Sequence, residues 1–156
     1  MELTPSRNQI KNENELLKKE IELLKSEIKL LKENCIYKIK IDDLKPKDLC
    51  TSKGEILDDY IRVEEDGWQF GPFRHYDQGK YLIVYHGEGL LNGELDVIDN
   101  QFKSPFPITI INKTQKKISY EVIIPSDLKS GIEFRIHNKQ PTLILIKNIE
   151  VFKYNI

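Results

Sequence analysis

The residues that could do chemistry in this chain are polar side chains that alternate with apolar ones along predicted strands. Arg135 and His137 alternate with Phe134 and Ile136 in this way. Because successive side chains of a strand point to opposite faces of a sheet, the arginine and the histidine should lie away from an apolar core. The same alternation places three further polar residues on the outward faces of other strands: His86, Asp96 and Glu121. Together these five side chains predict a polar, partly charged surface.

That surface has the chemistry to bind a sugar. Arginine presents a planar fork of donors that suits vicinal hydroxyls, carboxylates or phosphates, and a neighbouring acid could hold the fork in place. Sugar binding also needs a flat aromatic ring against the apolar face of a pyranose. Three residues of the turn-rich segment 68–77 are candidates for the edge of the site: Trp68, Arg74 and Tyr76. We therefore predict an oligosaccharide ligand at this surface and expect Arg135 to be essential for binding it.

Each of these residues also has a structural interpretation. Trp68, the only tryptophan, could plug the core or the end of a sheet instead of stacking on a ligand. The polar set could be a salt-bridged outer face, or a face buried against a second protomer. We expect the segment 74–77 to be an exposed loop between strands, whether or not it binds a ligand.

No arrangement of residues indicates catalysis. The three histidines have no spacing that defines a metal site, and no motif places a serine or cysteine beside a base. His86 and His137 could still converge on neighbouring strands and bind a metal. The run Gly87-Glu88-Gly89 lacks the helix that a phosphate-binding loop needs. We therefore expect a protein that is not an enzyme and has no cofactor and no metal.

The most regular element is a predicted helix over 8–35, with apolar residues spaced alternately by four and three. With Asn14 at heptad position a, glutamates fall at position g and lysines at position e. This pattern is typical of a parallel coiled coil, in which each Glu meets a Lys of the partner helix. This register continues position a as far as Cys35 and assigns seven further residues to the seam: Ile10, Asn14, Leu17, Ile21, Leu24, Ile28 and Leu31.

The heptad pattern favours a parallel homodimer. Ile at a with Leu at d prefers two strands, and a single buried Asn such as Asn14 specifies register. Leu16, Leu23 and Leu30 occupy position c and widen the apolar face beyond a two-stranded seam. Either a third helix joins to give a trimer, or this extra stripe packs on the globular part. A solvated single helix is the remaining alternative.

Composition narrows the class of protein. The 156 residues leave room for the helix and one domain of roughly 120 residues. A net charge of −1 with interleaved Lys and Glu argues against a nucleic-acid or membrane-surface partner. The two cysteines, Cys35 and Cys50, are too few for a disulfide framework. The sequence has no signal-peptide pattern and no apolar run of membrane-spanning length. We therefore expect a cytoplasmic chain without a membrane span. A fragment of a larger protein would also lack its targeting signals.

The remainder of the chain is predicted to be mainly β, an antiparallel β-sandwich of jelly-roll type over 36–156. Short segments in which apolar and polar residues alternate are separated by turn-forming residues such as Asn92-Gly93. The last run contains a break near Asn148. The predicted strands are 36–41, 54–56, 59–64, 68–71, 80–87, 93–98, 107–112, 117–124, 131–137 and 142–154.

Several of these runs resemble a known family. GWQFGPF at 67–73, GKYLIVYHGEG at 79–89, EFRIHN at 133–138 and IEV at 149–151 are similar to jelly rolls of the carbohydrate-binding-module type. The region 50–154 resembles in particular the coiled-coil-linked C-terminal accessory domains of bacterial glycosyltransferases and methyltransferases that build surface polysaccharides. The resemblance implies glycan binding beside a catalytic domain. The structural calcium of many such domains is not expected here, because no dense Asp/Asn cluster is present.

Two functions of different classes follow from the sequence. The first is a non-catalytic glycan-recognition module, oligomerised by its coiled coil and accessory to surface-polysaccharide biosynthesis. The second is an assembly or attachment head, in which the helix is a stalk and the sandwich binds protein. A solvent-open groove on an outer sheet face would favour the first, and an outer face buried between protomers would favour the second.

Overall fold

The computed structural model describes residues 6–34, 37–100, 104–125 and 131–155, with 30–34 described as backbone only. It divides the chain into two compact units, Met1–Ile36 and Tyr37–Ile156. The first unit contains the helix and the second contains the β-strands. Among the described residues, no helix is both long enough and apolar enough to cross a membrane.

The helix, α1, spans Arg7–Asn34, within one residue of the predicted 8–35. Its first turn is closed by a capping box between Ser6 and Gln9. The Gln9 amide donates to Ser6 Oγ at 3.2 Å, and the Ser6 amide donates to Gln9 Oε1 at 2.9 Å. Ser6 is therefore the N-cap of α1. The predicted end of the seam at Cys35 lies outside the described residues.

The apolar stripe of α1 is exposed in the single chain. Between 45 and 57 % of the surface of each described aliphatic residue in the predicted seam is accessible: Ile10, Leu17, Ile21, Leu24 and Ile28. The position-c leucines, Leu16 and Leu23, are more exposed still. Burying the exposed part of each such side chain against a partner helix would contribute roughly 1 kcal/mol, about half the value for complete burial.

The second unit is an antiparallel β-sandwich, which confirms the predicted fold class. Its strands are β1 Lys38–Leu44, β2 Cys50–Thr51, β3 Gly54–Ile56, β4 Ile61–Val63, β5 Trp68–Phe70, β6 Pro72–Arg74, β7 Gly79–Glu88, β8 Gly93–Asp99, β9 Ile108–Lys113, β10 Lys117–Ile124, β11 Ile132–Asn138 and β12 Ile144–Tyr154. The large sheet has the order β3-β4-β12-β7-β10-β9, with β1 also paired to β12. The small sheet has the order β2-β5-β11-β6, with β8 also paired to β11.

Two strands were not predicted, and both are short. The second of them, β6, begins at Pro72, which sequence reasoning assigns to a turn because proline cannot donate to a sheet ladder. The structure places β6 at the end of the small sheet, where a missing donor costs least. The predicted break near Asn148 is a shift of register between Ile146 and Asn148 within one continuous strand.

The core lies between the two sheets and consists of the apolar faces that the alternation predicts. Each of the following core residues is at most 1 % exposed: Tyr81, Ile83, Tyr85, Ile118, Tyr120, Val122, Ile124, Ile132, Phe134 and Ile136. A polar link crosses this core. The Tyr85 hydroxyl on β7 donates to Gln69 Oε1 on β5 at 2.9 Å, and Gln69 Nε2 donates to the Phe134 carbonyl at 3.0 Å. Since Gln69 points inward, its neighbours Trp68 and Phe70 belong to the outer face of the small sheet.

Candidate functional site

The structure divides the predicted site residues between the two sheets. His86 on β7 and Glu121 on β10 belong to the large sheet, whereas Asp96 on β8 and Arg135 and His137 on β11 belong to the small sheet. The expectation that His86 and His137 could converge on neighbouring strands is therefore wrong. The alternation of residues along a strand predicts which face of a sheet each side chain lies on, but it does not predict which of the two sheets the strand joins. No group of three or more His, Cys, Asp or Glu residues suited to a metal occurs in the described part of the chain.

On the small sheet, four predicted residues form one group, here called the tryptophan cluster: Trp68, Asp96, Arg135 and His137. The strand register sets Arg135 opposite Asp96 and His137 opposite Trp68. Arg135 Nε donates to Asp96 Oδ1 at 2.7 Å, and Nη2 donates to Oδ2 at 2.6 Å. The pKa of Arg135 is raised, chiefly by this hydrogen bonding to Asp96.

The aromatic side of the tryptophan cluster is equally well packed. The rings of Trp68 and His137 are parallel within 2°, with centroids 4.2 Å apart. The guanidinium carbon of Arg135 lies 4.5 Å from the centre of the Trp68 ring. Trp68 is half-buried on an outer face, so it is neither a core plug nor a fully open platform. The donors and rings of this cluster are largely engaged with one another.

Arg74 and Tyr76, the other predicted candidates, contact the acidic residues of a neighbouring segment. Arg74 Nη1 lies 2.7 Å from both carboxylate oxygens of Asp42, and Nη2 lies 3.1 Å from Asp48. The Tyr76 hydroxyl donates to Asp42 at 2.9 Å, and its ring packs on Phe134 with centroids 5.5 Å apart. Only 6 % of Tyr76 is exposed, and burial raises its pKa. The expectation that the whole 74–77 segment is an exposed loop is therefore wrong at Tyr76, which anchors the segment to the core.

The outer face of the large sheet carries a groove of about 260 Å³, here called the large-sheet groove. Its apolar lining consists of Leu82, Val84, Ile111 and Phe152, and its polar lining consists of Lys38, Lys117, Ser119, Glu150 and Tyr154. The strand register explains the grouping. On β12, Phe152 pairs with Leu82 of β7, which pairs in turn with Glu121 of β10. One row further along, Glu150 pairs with Val84.

The floor of the large-sheet groove is apolar although it faces outward. Leu82 and Val84 are only 6 and 5 % exposed, a burial that long side chains on adjacent strands can produce by lying across them. Phe152 is half-buried between them and β1. Lys38 of β1 holds its ammonium 5.4 Å from the centre of the Phe152 ring. The result is a flat, partly aromatic floor under a charged rim.

Glu121 is held at one side of this face by two partners. Lys80 Nζ lies 2.6 Å from Glu121 Oε2, and the Tyr154 hydroxyl donates to Oε1 at 3.3 Å. The same Lys80 ammonium lies 5.4 Å from the centre of the Tyr154 ring. The pKa of Lys80 is raised, chiefly by its hydrogen bond to Glu121. Lys80 therefore keeps its charge at neutral pH, and its contacts with Glu121 and Tyr154 hold the pair in place.

Glu150 is held in the same way nearer the middle of the sheet. Lys40 Nζ lies 2.9 Å from Glu150 Oε2, and His86 Nε2 contacts Oε1. Burial raises the pKa of Glu150, but hydrogen bonds from Lys40 and His86 outweigh it, and the pKa is lowered overall. The groove thus contains a carboxylate that stays ionised and oriented, a good acceptor for ligand hydroxyls.

Sequence reasoning found His86 and Glu121 but missed Phe152, Glu150 and Lys38. A signal was present for the first two of the missed residues. Residues 146, 149 and 151 are apolar and buried, which leaves 150 and 152 on the opposite face of the predicted strand. No signal pointed to Lys38, since its approach to Phe152 depends on the pairing of β1 with β12.

Comparisons with known proteins give a structural similarity but no family match. No family model matches the chain, and no curated protein matches its sequence. Among solved structures, the chain is similar to the C-terminal CBM6 of LamC, a marine laminarinase from Zobellia galactanivorans. The identity is 14 %, the TM-score is 0.45, and the match covers 76 % of this chain and 100 % of the other. The identity is too low for ligand-binding residues to be carried from one chain to the other.

Proposed function

We propose that this chain is a non-catalytic glycan-recognition module that binds an oligosaccharide in the large-sheet groove. The observation that carries the proposal is the composition of that groove. A flat floor containing Phe152 lies beside carboxylates that are oriented by their own partners. A pyranose needs both features, an apolar surface for its ring face and fixed acceptors for its hydroxyls.

The contacts suggest how a sugar would be held. Its apolar face would stack on Phe152 over Leu82, while hydroxyls at its edge would donate to Glu150 and Glu121. Ser119, which is 7 % exposed, adds a hydroxyl that can donate or accept. Since Lys40, Lys80 and His86 already orient the two carboxylates, little side-chain entropy would be lost on binding.

We further propose that α1 assembles the module as a parallel homodimer through a second copy of itself. The support is its exposed aliphatic stripe together with Glu at position g and Lys at position e, which complement each other between parallel copies. A trimer is the alternative that the position-c leucines allow. Shallow grooves bind sugars weakly, and two or three grooves on one oligomer would raise the apparent affinity through effective concentration.

The biological role is proposed from the resemblance of 50–154 to accessory domains of surface-polysaccharide enzymes. On that basis the glycan would be a bacterial surface polysaccharide, met in the cytoplasm during its synthesis. The alternative, an attachment head whose sandwich binds protein, would use an outer sheet face as a protein interface. The fixed carboxylates beside an aromatic floor favour the glycan.

A glycan array probed with the intact oligomer tests the proposal. Phe152→Ala should weaken binding about four- to tenfold, because a sugar can bury only the exposed part of this half-buried ring, about half of the roughly 1.5–3 kcal/mol of full burial. The matched control is Phe73→Ala, which removes the same ring from a residue of β6 that is 42 % exposed. Equal binding by Phe152→Ala and the wild type would place the site elsewhere. Loss of binding only in Phe73→Ala would indicate the small sheet.

A further inference from the structure

The charged side chains that line the large-sheet groove are mostly lysines. Two lysines of this face are neutralised by the two glutamates: Lys80 lies 2.6 Å from Glu121, and Lys40 lies 2.9 Å from Glu150. Lys40 also lies 3.5 Å from Asp43, which pairs with Glu150 in the strand register. The opposite charges of each pair largely cancel, so these pairs exert little electrostatic attraction on a charged ligand.

Two further lysines line the groove without a carboxylate partner. Lys38 and Lys117 are both exposed and both belong to its lining. Within the described ranges, neither forms an ion pair. The ammonium of Lys38 faces the Phe152 ring at 5.4 Å, so it is held directly above the floor. Of the three charged side chains in the groove lining, two are these lysines and the third is Glu150, which is itself paired with Lys40.

The two unpaired lysines come from opposite sides of the groove. Lys38 belongs to β1, which pairs with β12, and Lys117 belongs to β10, which pairs with the other edge of β7. The strands between them carry Phe152 and Val84. A ligand lying across the floor would thus meet one ammonium at each side, and each could bind an anionic group at the edge of a sugar ring.

We propose that the large-sheet groove takes an oligosaccharide whose sugar units carry an anionic group, either a carboxylate or a phosphate. The inference rests on the proposed glycan function and names the class of its ligand. The physical reason is that a neutral sugar would gain little from an unpaired ammonium, whereas an acidic one forms charge-assisted hydrogen bonds with it. Lysine serves such groups as a compact point charge with three donors.

The test uses the intact protein on an array that presents each glycan backbone in its neutral form, as the uronate and as the 6-phosphate. We expect the anionic forms to bind and the neutral forms to bind more weakly. Lys38→Ala and Lys117→Ala should each weaken binding of the anionic form about fivefold, the upper range for a solvent-exposed charge pair. Added salt should weaken it further, because exposed charges are screened.

Lys116→Ala is the matched control, since it removes the same charge from the adjacent residue, which does not belong to the groove lining. It should bind as the wild type does. If the uronate binds and the phosphate does not, the anionic group is a carboxylate, and the reverse result identifies a phosphate.

Two results would overturn the inference. One leaves the proposed glycan recognition intact, and the other contradicts it as well. If neutral glycans bind as tightly as acidic ones and the lysine variants bind normally, the acidic preference is wrong while glycan recognition stands. If no glycan of either kind binds to the oligomer, the proposed function fails and the inference fails with it.

Discussion

Phe134 and Arg135 are sequence neighbours on opposite faces of β11, and replacing each by alanine compares the core with the outer face of the small sheet. Phe134 is 0 % exposed and packs against Tyr76. Removing a fully buried phenylalanine leaves a cavity and costs about 3–5 kcal/mol of the free energy of unfolding. We expect Phe134→Ala to lose much of the stability of the sandwich, since a domain has about 5–15 kcal/mol in total.

Arg135→Ala should cost less, about 2 kcal/mol, which lies between the values for exposed and buried ion pairs. The side chains of Arg135 and Asp96 are 25 and 22 % exposed, so solvent screens their two hydrogen bonds only in part. The contact of the guanidinium with Trp68 accounts for about 0.5–1 kcal/mol of this cost. For a unit of this size, 1 kcal/mol corresponds to roughly 3–5 °C in the unfolding midpoint. The midpoint should therefore fall by about 8 °C in Arg135→Ala and by about 15 °C in Phe134→Ala.

Thermal unfolding of both variants can be followed by the fluorescence of Trp68, the only tryptophan of the chain. Its ring contacts Arg135 and His137 directly, so its emission reports on the tryptophan cluster. Arg135→Lys is the control, since it keeps the positive charge but loses the fork that pairs with Asp96. We expect its midpoint to fall between those of the wild type and Arg135→Ala, with glycan binding unchanged in both variants.

The opposite result would refute this reasoning. If Arg135→Ala unfolds at the wild-type temperature and no longer binds glycan, the fork serves a ligand rather than the fold. The ligand would then bind at the tryptophan cluster, which contains four of the residues that the sequence predicts for the site, and not in the large-sheet groove.

Two further predictions concern the oligomer. Leu24→Asp should yield monomers by light scattering while the sandwich stays folded. An aspartate in the seam loses about 2 kcal/mol of burial and introduces an unpaired charge. A wild-type protein that is monomeric at micromolar concentration would contradict the coiled coil. Mild oxidation should cross-link protomers through Cys35 but not through Cys50, since Cys35 continues position a and parallel helices bring the two thiols together. Absence of the cross-link on a non-reducing gel would argue against the parallel arrangement, and dimers that form equally well in Cys35→Ser would show that Cys50 forms it.

Much of the local structure could be predicted from the sequence, because helices and strands have their own periods. The capping box of Ser6 and Gln9 joins residues three positions apart, so the start of α1 is encoded locally. Alternation along β7 separated Tyr81, Ile83 and Tyr85 from the outer face, and the structure buries all three. A period of two is a property of the strand itself and needs no knowledge of its neighbours.

The candidate site depended on the pairing of distant strands, which only the tertiary structure decided. His86 and His137 lie in the same alternation pattern, yet they belong to different sheets. The alternation predicts the face on which a side chain lies but not the strand with which its own strand pairs. Arg135 has side-chain chemistry that suits a ligand-binding residue, but it is paired with Asp96, 39 residues away in sequence. Lys38 meets Phe152 because β1 returns beside β12. Pairings of this kind are selected by the burial of whole sheets against each other, a property of the complete chain that no single segment contains.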